Sequence, residues 1–313
     1  MPLTWLERYR LRAFFSSSLW VVPVLGMALA LVVAPALRQV DAATHWRLFG
    51  FAPDGARAVL AGLVASVLSF VVFVFSVLLV AVQIASASLS PRVIAGALTN
   101  RPVRACLGLL VFTFAYALAT LGRIEATVPQ LPVAIAIFSS LASIVAFLYL
   151  IDYMGRQLRP VSVLSRVGAK GARVVESIYP GRLEEPGDRS DGPAAFSGLP
   201  NPQVVHARAG GVVLALDAAG LVALARHADC VIELVPQVGD FVAKGDALFR
   251  IHGATVDARS LQQRIALGAE RTIEQDPAFP FRIIVDIASK ALSPAINDPT
   301  TAVLALEIGR AHV

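Results

Sequence analysis

Charged side chains are scarce in this chain: Asp, Glu, Lys and Arg make up 16% of its 313 residues, against 56% apolar ones. Soluble domains carry roughly 25% charged residues, so the shortage excludes an ordinary water-soluble protein. The apolar excess equally excludes a disordered chain, and the composition is not that of a coiled coil. Only two cysteines occur, Cys106 and Cys230, too few for a disulfide-stapled secreted domain. A mean hydropathy of +0.68 puts the chain in the membrane class.

The little charge there is lies unevenly. Residues 1–151 hold ten Lys/Arg against four Asp/Glu, a formal +6, whereas residues 152–313 hold seventeen against eighteen, a formal −1. The basic excess sits among apolar segments, where it reads as a topology signal. No nucleic-acid partner is expected, although the sequence pI is near 9.6.

Four stretches free of charge stand out: residues 13–37, 58–91, 105–122 and 126–151. A helix needs about 20 residues to cross a hydrocarbon core of ~30 Å, so each stretch predicts one crossing. Unpaired backbone groups are not tolerated in lipid, which makes these segments helices. The first, preceded by Arg8, Arg10 and Arg12, has a signal-peptide look around Ala34-Pro35-Ala36, but its apolar run exceeds the ~7–15 residues of such a region. The second, some 45 Å long as a helix from Ala58 to Ala87, is expected to tilt or extend, stopping or kinking near Ser90-Pro91.

Four crossings return the chain to its starting side. That side carries Arg8, Arg10, Arg12, Arg92, Arg101, Arg104, Arg156, Arg159 and Arg166; the other carries Arg38, Arg47, Arg57 and Arg123. The asymmetry predicts that the N-terminus and the C-terminal domain both lie in the cytoplasm.

Within the four segments there is no Asp, Glu, Lys, Arg or His. Proton-coupled transporters, pumps and voltage sensors normally place such groups in the membrane, so those mechanisms lose ground. The second segment instead carries Gly62, Ser69, Ser76, Gln83 and Ser90 at seven-residue steps, with Ser66 on the same stripe. Such a repeat keeps one face toward a partner. It reads either as a packing seam of small residues or as a polar stripe lining the pore of a homo-oligomer. Gly26, Ala30 and Ala34 repeat the small-residue spacing in the first segment, and Thr113, Ser139 and Ser143 place hydroxyls in the third and fourth.

Past Asp152 the chain changes character. Residues 160–178 read as an amphipathic helix, Val163, Leu164, Val167, Val174 and Val175 against Arg166, Lys170 and Arg173, with Gly168 and Gly171 weakening it. Short strands are expected at Val204–Ala209, Gly211–Leu216, Cys230–Val235 and Ala247–Ile251, with a helix at Leu221–Ala225 capped by Asp217. The stretch Pro236–Leu248 is similar to the turn-and-hairpin of biotinyl/lipoyl barrel-sandwich modules. Lys244 lies inside a turn rather than on the hairpin such a carrier needs, so no covalent cofactor is assigned. Helical spacing returns over residues 257–268 and 276–293. Asn297, Asp298, Thr300 and Thr301 crowd oxygen atoms onto one turn, as a ligand cluster or as a helix cap.

Other chemistry is thin. His227 and Cys230 form half of a zinc spacing, with His206 and His252 elsewhere, and no metal site is assigned. There is no phosphate-cradling glycine loop, no nucleophile elbow and no zinc-binding His pair on a helix. No catalytic residue is assigned either.

Taken together, the stretches Leu6–Phe15, Ser76–Gln83 with Ser90-Pro91-Arg92, and Leu292–Ala302 resemble the bacterial membrane-protein family called domain of unknown function 2254. The likeness runs through Leu306 and implies a bacterial inner (cytoplasmic) membrane protein of this topology, without a reaction. It also implies a longer chain. The closing hexapeptide Ile308–Val313 is what ATC-GGA-AGA-GCA-CAC-GTC encodes, the start of a common sequencing-library adapter, so residues 308–313 are expected to be read-through rather than a natural tail.

The expected fold is an α-helical membrane bundle of four transmembrane helices followed by a small cytoplasmic α/β module with short strands. Residues 1–151 form the bundle, 152–179 the juxtamembrane helix, 180–202 a flexible Pro/Gly linker and 203–307 the module. Expected partners are the lipid bilayer and further copies of the chain. Two functions fit: a channel- or transporter-like homo-oligomer gated by the module, or a membrane-anchored sensor or scaffold whose module binds a ligand or protein.

Overall fold

The computed structural model describes residues 3–44, 50–88, 100–125, 127–157, 159–179, 202–207 and 209–311. Within it the chain packs as two compact units, one of Phe15–Val163 and one combining Met1–Phe14 with Leu164–Val313. Ser90, Pro91 and nearly all of the expected 180–202 linker lie outside the described residues.

Among the described residues, the first of these units holds four helices long and apolar enough to cross a membrane. They are α2 (Val21–Thr44), α3 (Pro53–Ser88), α4 (Arg101–Leu121) and α5 (Gln130–Gln157), preceded by α1 (Trp5–Ser17). The uncharged run from Ala13 is therefore split. Helix α1 ends at Ser17 and α2 begins at Val21, because the Ser16-Ser17-Ser18 cluster offers the backbone hydroxyl partners that compete with a continuous helix. Pro102 suits the first turn of α4, where its missing N–H costs nothing.

Helix α4 is the centre of this bundle, touching α2, α3 and α5. One apolar cluster joins Val67, Val74 and Leu78 of α3 to Leu107 and Leu110 of α4 and Phe147 and Leu150 of α5. A second joins Ala30 and Ala34 of α2 to Leu60, Tyr116 and Val133. The outward faces, with Leu29, Val32, Val72, Leu79, Val145 and Leu148 exposed, are what a lipid solvent requires.

The second compact unit is built around six short strands, β1 (Gln203–Val205), β2 (Gly211–Leu216), β3 (Val231–Leu234), β4 (Phe241–Val242), β5 (Ala247–His252) and β6 (Ile265–Gly268). They form two antiparallel sheets, ordered β1-β5-β3 and β4-β2-β6. Strand β2 alternates buried and half-buried positions, as a strand with one inward face does. Val204, Phe249 and Ile251 of one sheet meet Val213, Val242 and Ile265 of the other in a shared core.

Two glycine–aspartate turns shape this sandwich. Gly239 and Gly245 both have φ of +98°, which a residue with a β-carbon resists. The next residue repeats one device: an Asp240 carboxylate oxygen accepts from the Gln237 N–H at 2.8 Å, and Asp246 from the Ala243 N–H at 2.8 Å.

Helices complete the unit: α6 (Pro160–Ile178), α7 (Ala218–His227), α8 (Ala258–Gln262), α9 (Phe279–Ala291) and α10 (Pro299–Ala311). The expected helix over 257–268 is cut to the five-residue α8 and followed by strand β6. Pairing of Ile265–Gly268 with β2 outweighs the local helical spacing. In α6, Gly168 and Gly171 are buried rather than weak points, and a β-carbon on Gly171 would lie 2.7 Å from Pro280 Cβ of α9.

Candidate functional site

The polar stripe of α3 has a plain local geometry. Ser66 Oγ donates to Gly62 O at 2.7 Å, Ser69 to Ala65 O at 3.0 Å and Ser76 to Val72 O at 3.1 Å. Each hydroxyl is thus satisfied by its own helix, as serines in membrane helices commonly are. Gly62, Ser66, Ser69, Ser76 and Gln83 are all exposed, turned away from the bundle's own core. Ser90 lies outside the described residues.

Around Asn297 the oxygen atoms turn inward on the chain. An Asp298 carboxylate oxygen accepts from the Thr301 N–H at 3.1 Å, and the Thr301 hydroxyl donates to the other at 2.5 Å. Those bonds hold the Asp298 carboxyl below its ordinary range. Asn297 has a φ of +48° and donates its N–H to Ser293 O. Thr300 is exposed on the first turn of α10. This is the bonding pattern of a helix cap.

A cavity of about 510 Å³ opens in the strand-containing unit. Helix α1 supplies one wall with Leu6, Glu7 and Arg10; His206, Gly210 and Gly211 supply another; Arg259, Gln262 and Gln263 a third; and Leu248, Ile265 and Leu267 form an apolar floor. That size, with an apolar floor and a few polar groups at the walls, falls in the range of small-molecule sites.

Sequence fixes each wall locally. Thr4 and Glu7 make a reciprocal capping box, Thr4 N–H to Glu7 Oε2 at 2.8 Å and Glu7 N–H to Thr4 Oγ1 at 3.3 Å. The Thr4 contacts hold the Glu7 carboxyl below its ordinary value. Its charge is therefore engaged at the start of α1. Arg10 follows one turn later on the same face. Asp257 caps α8 through the Ser260 N–H at 3.0 Å, which sets the turn carrying Arg259. His206 sits after a bulge in β1, buried, with Nε2 2.8 Å from Ala209 O and its backbone tied to Gly245 and Asp246.

Neither Arg10 nor Arg259 is ion-paired among the described residues. The cavity thus has two exposed guanidinium groups at its walls over an apolar floor, Arg259 sensed by the nearby Asp257 carboxylate, an arrangement suited to an anion with a hydrophobic body. No motif in the sequence marks Glu7, Arg10 or Arg259 as site residues. The legible signal was the Thr4-x-x-Glu7 capping box, which announces a helix ahead of the first crossing.

Helix α1 is held to the same unit by Tyr9, whose half-buried phenol lies beside the Glu274 carboxylate. Trp5 stacks on Tyr9 with ring centroids 5.4 Å apart. On the far side of the first turn of α1 lies a smaller cavity of about 360 Å³, bordered by Arg8, Asp217 and Arg264. There Arg264 is already paired with Asp217 at 2.6 Å. His227 and Cys230 gain no metal partners: among the described residues no three His, Cys, Asp or Glu side chains gather closely enough to hold an ion.

Residues 16–311 match the family described as "Predicted membrane protein (DUF2254)", and the chain belongs to it. It is 28% identical over 311 residues to "Uncharacterized protein Mb1321c" of Mycobacterium bovis, covering 93% of this chain and 58% of that protein. The same identity and coverage hold for "Uncharacterized protein Rv1290c" of Mycobacterium tuberculosis. The chain thus spans 58% of the length of the curated relatives it matches. No solved structure matches it.

Proposed function

We propose that this member of the family is a ligand-responsive protein of the bacterial cytoplasmic membrane, whose strand-containing unit takes a small organic anion in the cavity walled by α1. The observation that carries it is the make-up of that cavity. One wall is α1, and the chain leaves α1 at Ser17 to enter the first membrane helix at Val21. A ligand gripped between Arg10 and Arg259 ties α1 to the sheets, and so biases the segment that enters the membrane. The grouping of residues 1–14 with residues 164–313 supports an even number of crossings, and the arginine asymmetry puts this unit in the cytoplasm.

Thermal shift of the purified full chain in lipid nanodiscs, against a panel of monocarboxylates, dicarboxylates and phosphate esters, tests this. At least one class is expected to stabilise the wild type. Arg10→Gln and Arg259→Gln are each expected to weaken that ligand about tenfold, the loss of one charge-assisted contact. A panel that leaves the wild type unshifted, or shifts all three proteins alike, overturns it.

One observation favours a second level of organisation, a homo-oligomer through α3: its stripe is exposed on its own bundle. Cysteine pairs introduced at Ser69 and Ser76 would crosslink between copies in membranes if the stripe is a seam. Ion flux lowered by Ser76→Leu and Gln83→Leu would extend the reading to a pore.

A further inference from the structure

The outer end of the four-helix unit carries two arginines that form no ion pair among the described residues. Arg38 lies on α2, one residue past its uncharged run, and Arg123 follows the Gly122 cap of α4. Both border a cavity of about 300 Å³ together with Pro35, Gln39 and Ala42. The Arg123 main chain is fixed by its N–H to Thr120 O at 3.1 Å, yet its Nη1 is buried with no hydrogen-bond partner.

Among the described residues, Arg57, Asp54 and Asp41 at this end have partners of their own. Arg57 donates through Nη2 to Ile124 O at 2.9 Å and pairs with Asp54 at 3.5 Å. Asp41 accepts from the Leu131 N–H at 2.9 Å, at the start of α5. Among the described residues no carboxylate is ion-paired with Arg38 or Arg123. Two guanidinium groups on one cavity repel each other, and a buried charged donor without an acceptor is costly. An anion between them removes both penalties.

We propose that Arg38 and Arg123 form a binding site for a phosphate group at the membrane–water boundary. Planar guanidinium forks match phosphate oxygens in pairs, the geometry that Arg–phosphate contacts use. The flank of α2 that leads from Pro35 toward the bilayer centre exposes Leu31 and Val32, a surface for acyl chains. The phosphate therefore belongs either to an anionic lipid or to a soluble phosphate.

Native mass spectrometry of the full chain in detergent, titrated with phosphatidylglycerol or phosphatidylcholine, distinguishes the sources. The wild type is expected to retain one phosphatidylglycerol about tenfold more tightly than Arg38→Gln/Arg123→Gln. The corresponding double lysine variant is expected to fall between, and Arg57→Gln to match the wild type. Retention that survives excess inorganic phosphate assigns the site to lipid; displacement by phosphate, but not by chloride at equal ionic strength, assigns it to a soluble phosphate. A melting-temperature series on the wild type, with phosphate or phosphatidylglycerol against chloride, needs no variant. Equal retention by wild type and glutamine variant overturns the proposal, as does a wild-type melting temperature that neither phosphate nor phosphatidylglycerol moves.

Discussion

Arg271 and Asp276 form a bidentate ion pair in the loop before α9, Nη2 donating to Oδ1 at 3.1 Å and Nε to Oδ2. Asp276 is 1% exposed, and the guanidinium lies 5.3 Å from the centre of the Phe279 ring. The pair keeps the Arg271 guanidinium firmly charged, chiefly through the Asp276 hydrogen bond. The Gly239 turn of the sandwich rests directly on it: a β-carbon there would lie 2.3 Å from Asp276 Oδ2. One ion pair thus ties the sheets to the helical end of the same unit.

Asp276 does two jobs, which substitution separates. Its Oδ1 also accepts from the Ala278 and Phe279 N–H groups at 3.1 and 3.0 Å, at the start of α9. Asp276→Asn keeps an acceptor and loses the charge, and is expected to destabilise the unit by about 1–2 kcal/mol, less than a fully buried pair because Arg271 still reaches solvent. Asp276→Ala is expected to cost about 1 kcal/mol more as the cap goes too. Chemical denaturation followed by the protease resistance of the strand-containing unit measures both.

Gly239→Ala strains the same junction from the other side. The substitution meets a positive φ as well as the Asp276 and Arg271 side chains. A loss of about 2 kcal/mol or more is expected by the same denaturation assay. Gly245→Ala, with the same φ and no atom within 4 Å of its β-carbon, is expected to lose only the backbone component, about 1 kcal/mol.

Such long-range relationships separate what the chain reveals by itself from what it hides. The four crossings were legible because lipid imposes a long uncharged run, a pattern read without knowing any contact. Asp217 was legible as a cap, and it accepts from the Gly220 N–H at 3.1 Å, because capping is local. The cavity was not legible: Arg10 and Arg259 are far apart in sequence, and only docking of α1 brings them to one space. Strand β6 was missed for a similar reason, its partner β2 lying some fifty residues away. In the membrane half Arg123 counted as a topology charge, and its unpartnered nitrogen emerged only with the packing.

Small residues in the bundle make a sharper prediction than the α3 stripe. Helices α2 and α4 cross at two glycines: a β-carbon on Gly26 would sit 2.7 Å from Gly108 O, and one on Gly108 would sit 2.7 Å from Val22 Cγ1. Gly26→Ala meets rigid backbone and is expected to destabilise the bundle by about 1–3 kcal/mol. Gly108→Ala meets a side chain that can rotate, so the smaller effect is expected there. Gly62→Ala, with open space around it, is expected to be neutral in the monomer. Unfolding in mixed micelles of detergent and denaturant ranks the three.

The docking of α1 can be probed through Tyr9 without touching the cavity lining. Burial and then the nearby Glu274 carboxylate push the Tyr9 phenol well above its ordinary value of 10. A phenol raised in the folded state contributes stability that is complete below pH 10 and is lost as pH climbs through the raised value. Helix α1 is therefore expected to resist proteolysis undiminished from pH 7 to 9.5 and to loosen only in stronger alkali. Tyr9→Phe deletes the phenol hydroxyl beside Glu274 and the alkaline transition with it, leaving α1 more readily cleaved at every pH by the worth of one polar contact, ~1–2 kcal/mol. If anion binding in the cavity requires α1 in place, the same variant also weakens the ligand several-fold while Arg10 and Arg259 remain intact. Paired proteolysis and thermal-shift titrations on one preparation measure both effects together.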